Sequence, residues 1–97
     1  MQRDEAIARL KACELEVRRL GATSLFLFGS TARDEATAAS DIDLFVDYDP
    51  ERFGFVELIR LRQRLSENLG VQADLTTREG LHPRLRPAIE SEALKVI

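Results

Sequence analysis

Residues 28–46 read FGSTARDEATAASDIDLFV. The stretch ends in an apolar run, Ile42, Leu44, Phe45 and Val46, of the kind that forms a buried strand. Asp41 and Asp43 stand at its start, two residues apart. Alternate strand residues share a face, so the spacing predicts both carboxylates on one side of a sheet. Like charges at that separation repel, and burying either is costly. Something must offset that cost, and a bound cation is the simplest candidate.

Working outward, Ser24–Phe28 (SLFLF) reads as a central strand covered on both faces. Gly29-Ser30 ends it, and Thr31–Ala36 reads as a short helix followed by a small-residue loop, Thr37–Ser40. Asp41–Asp47 is the second strand, broken by Tyr48-Asp49-Pro50. Val71–Thr76 alternates cleanly, with Gln72, Asp74 and Thr76 on its polar face, and reads as a third strand. Two amphipathic helices fill the rest. One spans residues 3–20 with Ile7, Leu10, Cys13, Val17 and Leu20 inward; the other spans Phe55–Leu69 with Phe55, Leu58, Leu61, Leu65 and Leu69 inward and Gly70 as its cap. Pro87 suits the first turn of a last helix running to about Glu92, and Leu94–Ile97 is a short strand or packs down. The expected fold is α/β (α+β): a small mixed sheet of three or four strands, helices on one face and an active site on the other.

Composition bounds the class. The 97 residues, 44% hydrophobic and 32% charged, fit a single domain, 1–97, that buries roughly two-thirds of its unfolded surface. A net charge of −3 disfavours direct nucleic-acid binding through an overall basic surface. One cysteine precludes an internal disulfide and fits a reducing, cytoplasmic setting. There is no apolar signal core at the start, and no apolar run approaches the ~20 residues that span a membrane, so no membrane partner is expected.

The chemistry concentrates in three places. Gly29-Ser30 closes a buried strand, Asp41 and Asp43 lie on the next, and Asp74 lies on the polar face of a third. If the strands are neighbours, the carboxylates converge. Oxygen ligands of that hardness select Mg²⁺ or Mn²⁺, and Mg²⁺ fills its remaining shell with water and substrate phosphate. The Gly-Ser turn supplies backbone amides and a hydroxyl for an anion. The pattern suits a nucleoside triphosphate, and it is not a P-loop, because no Gly-Lys-Ser/Thr follows.

Gly29-Ser30, ten residues, then Asp41-Ile42-Asp43 resembles the GSx10DxD signature of the DNA polymerase β-like nucleotidyltransferase superfamily. The longer run GSTAR…SDIDLFV is similar to its minimal nucleotidyltransferase branch, which includes MntA-type antitoxins paired with HEPN-domain toxins. The resemblance extends from the first helix through Asp74 to AIESEALKVI. One departure is Asp34, where that branch commonly has glycine; it places a negative charge near the expected phosphate site. The resemblance implies a nucleotidyltransferase fold and transfer of AMP from ATP to a tyrosine hydroxyl of a partner HEPN-domain toxin. Asp41, Asp43 and Asp74 are then the catalytic, metal-binding residues for two Mg²⁺ ions. Gly29, Ser30 and Arg33 are then the nucleotide-binding residues, with Arg33 equally able simply to solvate its helix. Two alternatives stand beside this reading: an antitoxin that neutralises its partner by binding alone, and a nucleotidyltransferase with a small-molecule or RNA acceptor. Larger nucleotidyltransferases hold the acceptor with a second domain, and 97 residues leave no room for one, which favours a protein that presents its own acceptor.

The remaining polar residues read as ordinary. Asp34, Glu35, Asp47 and Asp49 are expected as surface charges, Cys13 as core, His82 as a loop residue, and Arg60, Arg62 and Arg64 as a solvated helix face.

Overall fold

The computed structural model describes residues 1–97. Four strands form one mixed sheet in the order β3-β2-β1-β4. They are β1 Ala22–Phe28, β2 Ile42–Tyr48, β3 Ala73–Thr77 and β4 Leu94–Lys95. β2 runs antiparallel to β1 and parallel to β3, and β4 runs antiparallel to β1. The helices are α1 Arg3–Lys11, α2 Glu14–Arg19, α3 Gly29–Ala32, α4 Phe55–Leu69 and α5 Arg86–Glu92, with a 3-10 turn at Arg78–Gly80.

Alternation divides the sheet into two unlike faces. Leu25, Leu27, Ile42, Leu44, Val46, Ala73 and Leu75 point to one side and pack with Ala6, Leu10 and Val17 of the first two helices and Leu61, Leu65 and Leu69 of α4. That core holds α1, α2 and α4 on one face, whereas α5 reaches the other through Glu90 and Arg78. The parallel β2–β3 pair needs a crossover, and α4 supplies it. Its start is held by the Glu57 carboxylate, which accepts from the Gly54 N–H at 2.8 Å. Gly70 caps its end in the left-handed conformation, φ +74°.

The opposite face carries Phe26 and Phe28 from β1, Asp43, Phe45 and Asp47 from β2, and Asp74 and Thr76 from β3. Phe26 stacks on Phe45 with ring centroids 4.7 Å apart and planes 7° apart, and Phe28 tilts against Phe45 at 5.8 Å. The Arg78 guanidinium lies 4.9 Å above both the Phe26 and Phe45 rings. It donates to both Asp47 carboxylate oxygens, at 2.7 and 2.8 Å, and to Glu90 of α5. This lid of aromatics and paired charges explains why SLFLF is apolar without alternation: one side meets the helices, the other meets Phe45 and Arg78.

Several boundaries differ from expectation. The helix expected over 3–20 is two, because the Cys13 N–H bonds to Leu10 at 2.9 Å and tightens the turn. The apolar spacing through Leu10, Cys13 and Val17 is the same with or without that turn, so the pattern could not reveal it. α3 begins at Gly29 rather than Thr31, β1 begins at Ala22, and β3 begins at Ala73. Phe55 is not on the inner face of α4 but 76% exposed, at the rim of a shallow apolar groove with Tyr48, Phe53 and Leu58. Asp47 is not a free surface charge, because Arg78 clamps it. Cys13 is buried, and burial pushes its thiol up. No helix is long and apolar enough to cross a membrane.

Candidate active site

Register brings the sequence motif together. Phe28 pairs with Asp43 across β1 and β2, and Asp43 pairs with Asp74 across β2 and β3. The residue after Phe28 is Gly29, so the Gly-Ser turn, the middle aspartate and the third-strand aspartate occupy one row across the sheet. Gly29 has φ +74°, and a Cβ there would strike the Asp43 Oδ2 atom and sit 3.2 Å from its Cγ. A glycine is required here on both counts.

Asp41 lies just outside β2, whose ladder opens at Ile42 with an N–H to the Gln72 carbonyl at 3.0 Å. It is exposed, whereas Asp43 is half-buried. Burial, then the Asp74 and Asp41 carboxylates, hold the Asp43 carboxyl above the usual aspartate range, with Arg33 opposing them. Asp43 is therefore the hub: Asp74 on the neighbouring strand and Asp41 two residues earlier both act on it electrostatically.

No three or more His, Cys, Asp or Glu side chains are gathered closely enough to hold a metal on their own. The donor set nonetheless fits Mg²⁺, which takes one or two carboxylates and completes its shell with water and phosphate. The repulsion that raises Asp43 is what a cation would relieve.

Beside the aspartates lies an anion cradle. The Gly29 N–H donates to Glu92 Oε1 at 3.1 Å, and Arg33 donates to both Glu92 oxygens at 3.3 and 3.2 Å. A carboxylate thus already sits against two of the groups expected to meet phosphate. Arg33 also pairs with Glu35 at 3.3 Å. Ser30 is half-buried in the first turn of α3, and the neighbouring Thr31 hydroxyl is buried without a partner. The site is an open shelf. The largest depression on the surface, about 520 Å³, lies elsewhere, lined by residues such as Glu16, Leu20, Arg60 and Glu67. Its two carboxylates, Glu16 and Glu67, share the lining with Arg60 and Arg64, so it lacks the unbalanced acidic row centred on Asp43.

Sequence reasoning did not single out Glu92, Glu90, Arg78 or the role of Phe45. Glu92 stands 63 residues beyond Gly29, and only the tertiary return of α5 makes them neighbours. Nothing local in AIESEA marks it.

A family model described as "Nucleotidyltransferase domain" matches residues 10–96. Protein adenylyltransferase MntA of Thermococcus cleftensis is 31% identical over 94 residues, covering 96% of this chain and 94% of the relative. The solved structure of a "putative minimal nucleotidyltransferase" superposes with TM-score 0.84 at 37% identity, covering 97% of this chain and 95% of that one. A chain of a toxin–antitoxin crystal structure with AMP-PNP shares the fold at TM-score 0.72 and 21% identity, covering 92% of this chain and 72% of that one.

Proposed function

The chain belongs to the nucleotidyltransferase domain family, and from that membership we propose that it is the antitoxin of a toxin–antitoxin pair, transferring AMP from ATP to a tyrosine hydroxyl of a HEPN-domain toxin with Mg²⁺. The observation that carries this reading is the Gly29–Asp43–Asp74 row. Adenylyl transfer is supported by the resemblance to an adenylyltransferase along nearly the whole chain. The toxin partner and ATP are supported by the fold shared with the toxin–antitoxin structure containing AMP-PNP and by the GSTAR…SDIDLFV run.

In this reading Asp41, Asp43 and Asp74 would hold two Mg²⁺ ions, with phosphate and water completing their shells. Bound Mg²⁺ supplies neutralisation of developing phosphate charge and lowers the pKa of the acceptor hydroxyl. Gly29, Ser30 and Arg33 bind the β- and γ-phosphates through an amide, a hydroxyl and a guanidinium. The acceptor oxygen forms a bond to the α-phosphorus, the bond from that phosphorus to the bridging oxygen breaks, and pyrophosphate leaves. Asp74, exposed at the edge of the row, takes the proton of the acceptor hydroxyl. The open shelf leaves the acceptor side to be closed by the partner.

The test is the intact mass of the candidate toxin after incubation with this protein, Mg²⁺ and ATP. A gain of AMP that disappears without metal and with Asp43→Asn is expected. A stable complex with no mass gain would instead favour neutralisation by binding, and neither result would redirect the search to small-molecule or RNA acceptors.

A further inference from the structure

The anion cradle beside the aspartates is filled by the protein itself. Glu92, the last residue of α5, places its carboxylate against the Gly29 N–H at 3.1 Å and the Arg33 guanidinium at 3.2 Å. These are two of the groups that the proposed function assigns to phosphate. One carboxylate and one phosphate oxygen cannot both take the same N–H in good geometry.

We propose that Glu92 is a built-in competitor for the nucleotide: its carboxylate stands in the phosphate cradle of the free protein and must swing out when a triphosphate binds. This rests on the nucleotidyltransferase reading of the site and adds a device that sets its affinity. The contact is well suited to yielding. The Glu92 and Arg33 side chains are 33% and 46% exposed, so the pair is a weakly held, water-accessible one. α5 need not move with it. Glu90, two residues earlier, is tied to Arg78, and the segment after Glu92 is hydrogen-bonded to β1 through Leu25 and the β4 pairing. Only the Glu92 side chain has to change rotamer. The same displacement frees the Gly29 N–H and the Arg33 guanidinium for phosphate.

The experiment compares Mg·ATP binding by calorimetry in the full chain and in Glu92→Gln and Glu92→Ala, with adenosine as the phosphate-free control and thermal unfolding to establish that each variant is folded. Glu92→Ala should bind ATP up to about fivefold more tightly, the range that loss of one exposed ion-pair competitor allows. Glu92→Gln should lie between, and adenosine should be unaffected. In turnover the KM for ATP should fall without a rise in kcat. Equal or weaker ATP binding in folded variants, with clear binding by the wild type, would overturn the competitor and make Glu92 an organiser of the Gly29 turn. An equal gain for adenosine would overturn it as general loosening. Absence of ATP binding in all three proteins would overturn the nucleotidyltransferase reading itself, and the competitor with it.

Discussion

Gly29 backs directly onto Asp43: with φ +74° and no side chain, it leaves the space that the Asp43 carboxylate fills. The motif's glycine and its middle aspartate are thus one packing unit rather than two separate ligands. Gly29→Ala must pay left-handed strain of roughly 1–2 kcal/mol and must also displace the Asp43 carboxylate. A loss of about 2 kcal/mol or more in urea unfolding is expected, together with loss of transfer activity. Wild-type stability in Gly29→Ala would show that the turn can relax away from Asp43.

Asp43 is held above its ordinary pKa by burial and by Asp74 and Asp41. A carboxyl whose folded pKa exceeds its unfolded value of about 3.9 destabilises the fold at pH above the folded pKa, and the penalty vanishes below the unfolded one. Asp43→Asn should therefore stabilise the metal-free protein at pH 7 by on the order of 1 kcal/mol while abolishing transfer. The advantage should shrink as pH falls to about 4. Thermal unfolding of both proteins across that range checks it; an asparagine variant no more stable than wild type at pH 7 would contradict the electrostatic account.

The Arg78 clamp runs the other way. Its hydrogen bonds hold the Asp47 carboxyl below the usual range. Stability from a depressed carboxyl is present above the unfolded pKa of about 3.9 and is lost as pH falls through the folded one. Asp47 is 38% exposed, so solvent screening limits the gain, and Asp47→Asn is expected to cost about 1 kcal/mol at pH 7. Arg78→Met should cost more, because it also removes the cation above Phe26 and Phe45 and leaves two carboxylates facing each other. Equal losses for the two variants in urea unfolding would argue that the aromatic stacking contributes nothing.

What was legible in the sequence divides along local and non-local lines. The bounds of α4 were readable to the residue, because a long apolar period and a capping glycine are local signals, although Phe55 at its start faces outward. The strand order was not local: convergence of the carboxylates is conditional on the strands being neighbours, and it is the β2–β3 register that sets Asp43 beside Asp74. Asp41 was read as the first strand residue, but the ladder starts at Ile42, since only a partner strand decides where pairing begins. Glu92 and Arg78 escaped because their partners lie 63 and 31 residues away, and a charged residue near the end of a helix has the same local pattern whether it faces water or an active site.

The departure at Asp34 leads to a last prediction. It is the one non-glycine residue with positive φ, 59°, at the position where the resembling branch commonly carries glycine. Aspartate tolerates this conformation better than most residues, and here its Oδ1 also accepts from the Arg3 N–H at 3.0 Å, tying the turn to the start of α1. The turn is therefore kept in shape by a different means. Asp34→Ala loses both the tolerance and the hydrogen bond and should cost about 1–2 kcal/mol in urea unfolding. Asp34→Gly loses only the hydrogen bond, gains backbone ease, and should lie within about 0.5 kcal/mol of wild type. Asp34→Asn keeps an oxygen for Arg3 and should be near neutral as well. If alanine and glycine cost the same, the left-handed geometry at Asp34 carries no strain and the hydrogen bond to Arg3 alone holds the turn.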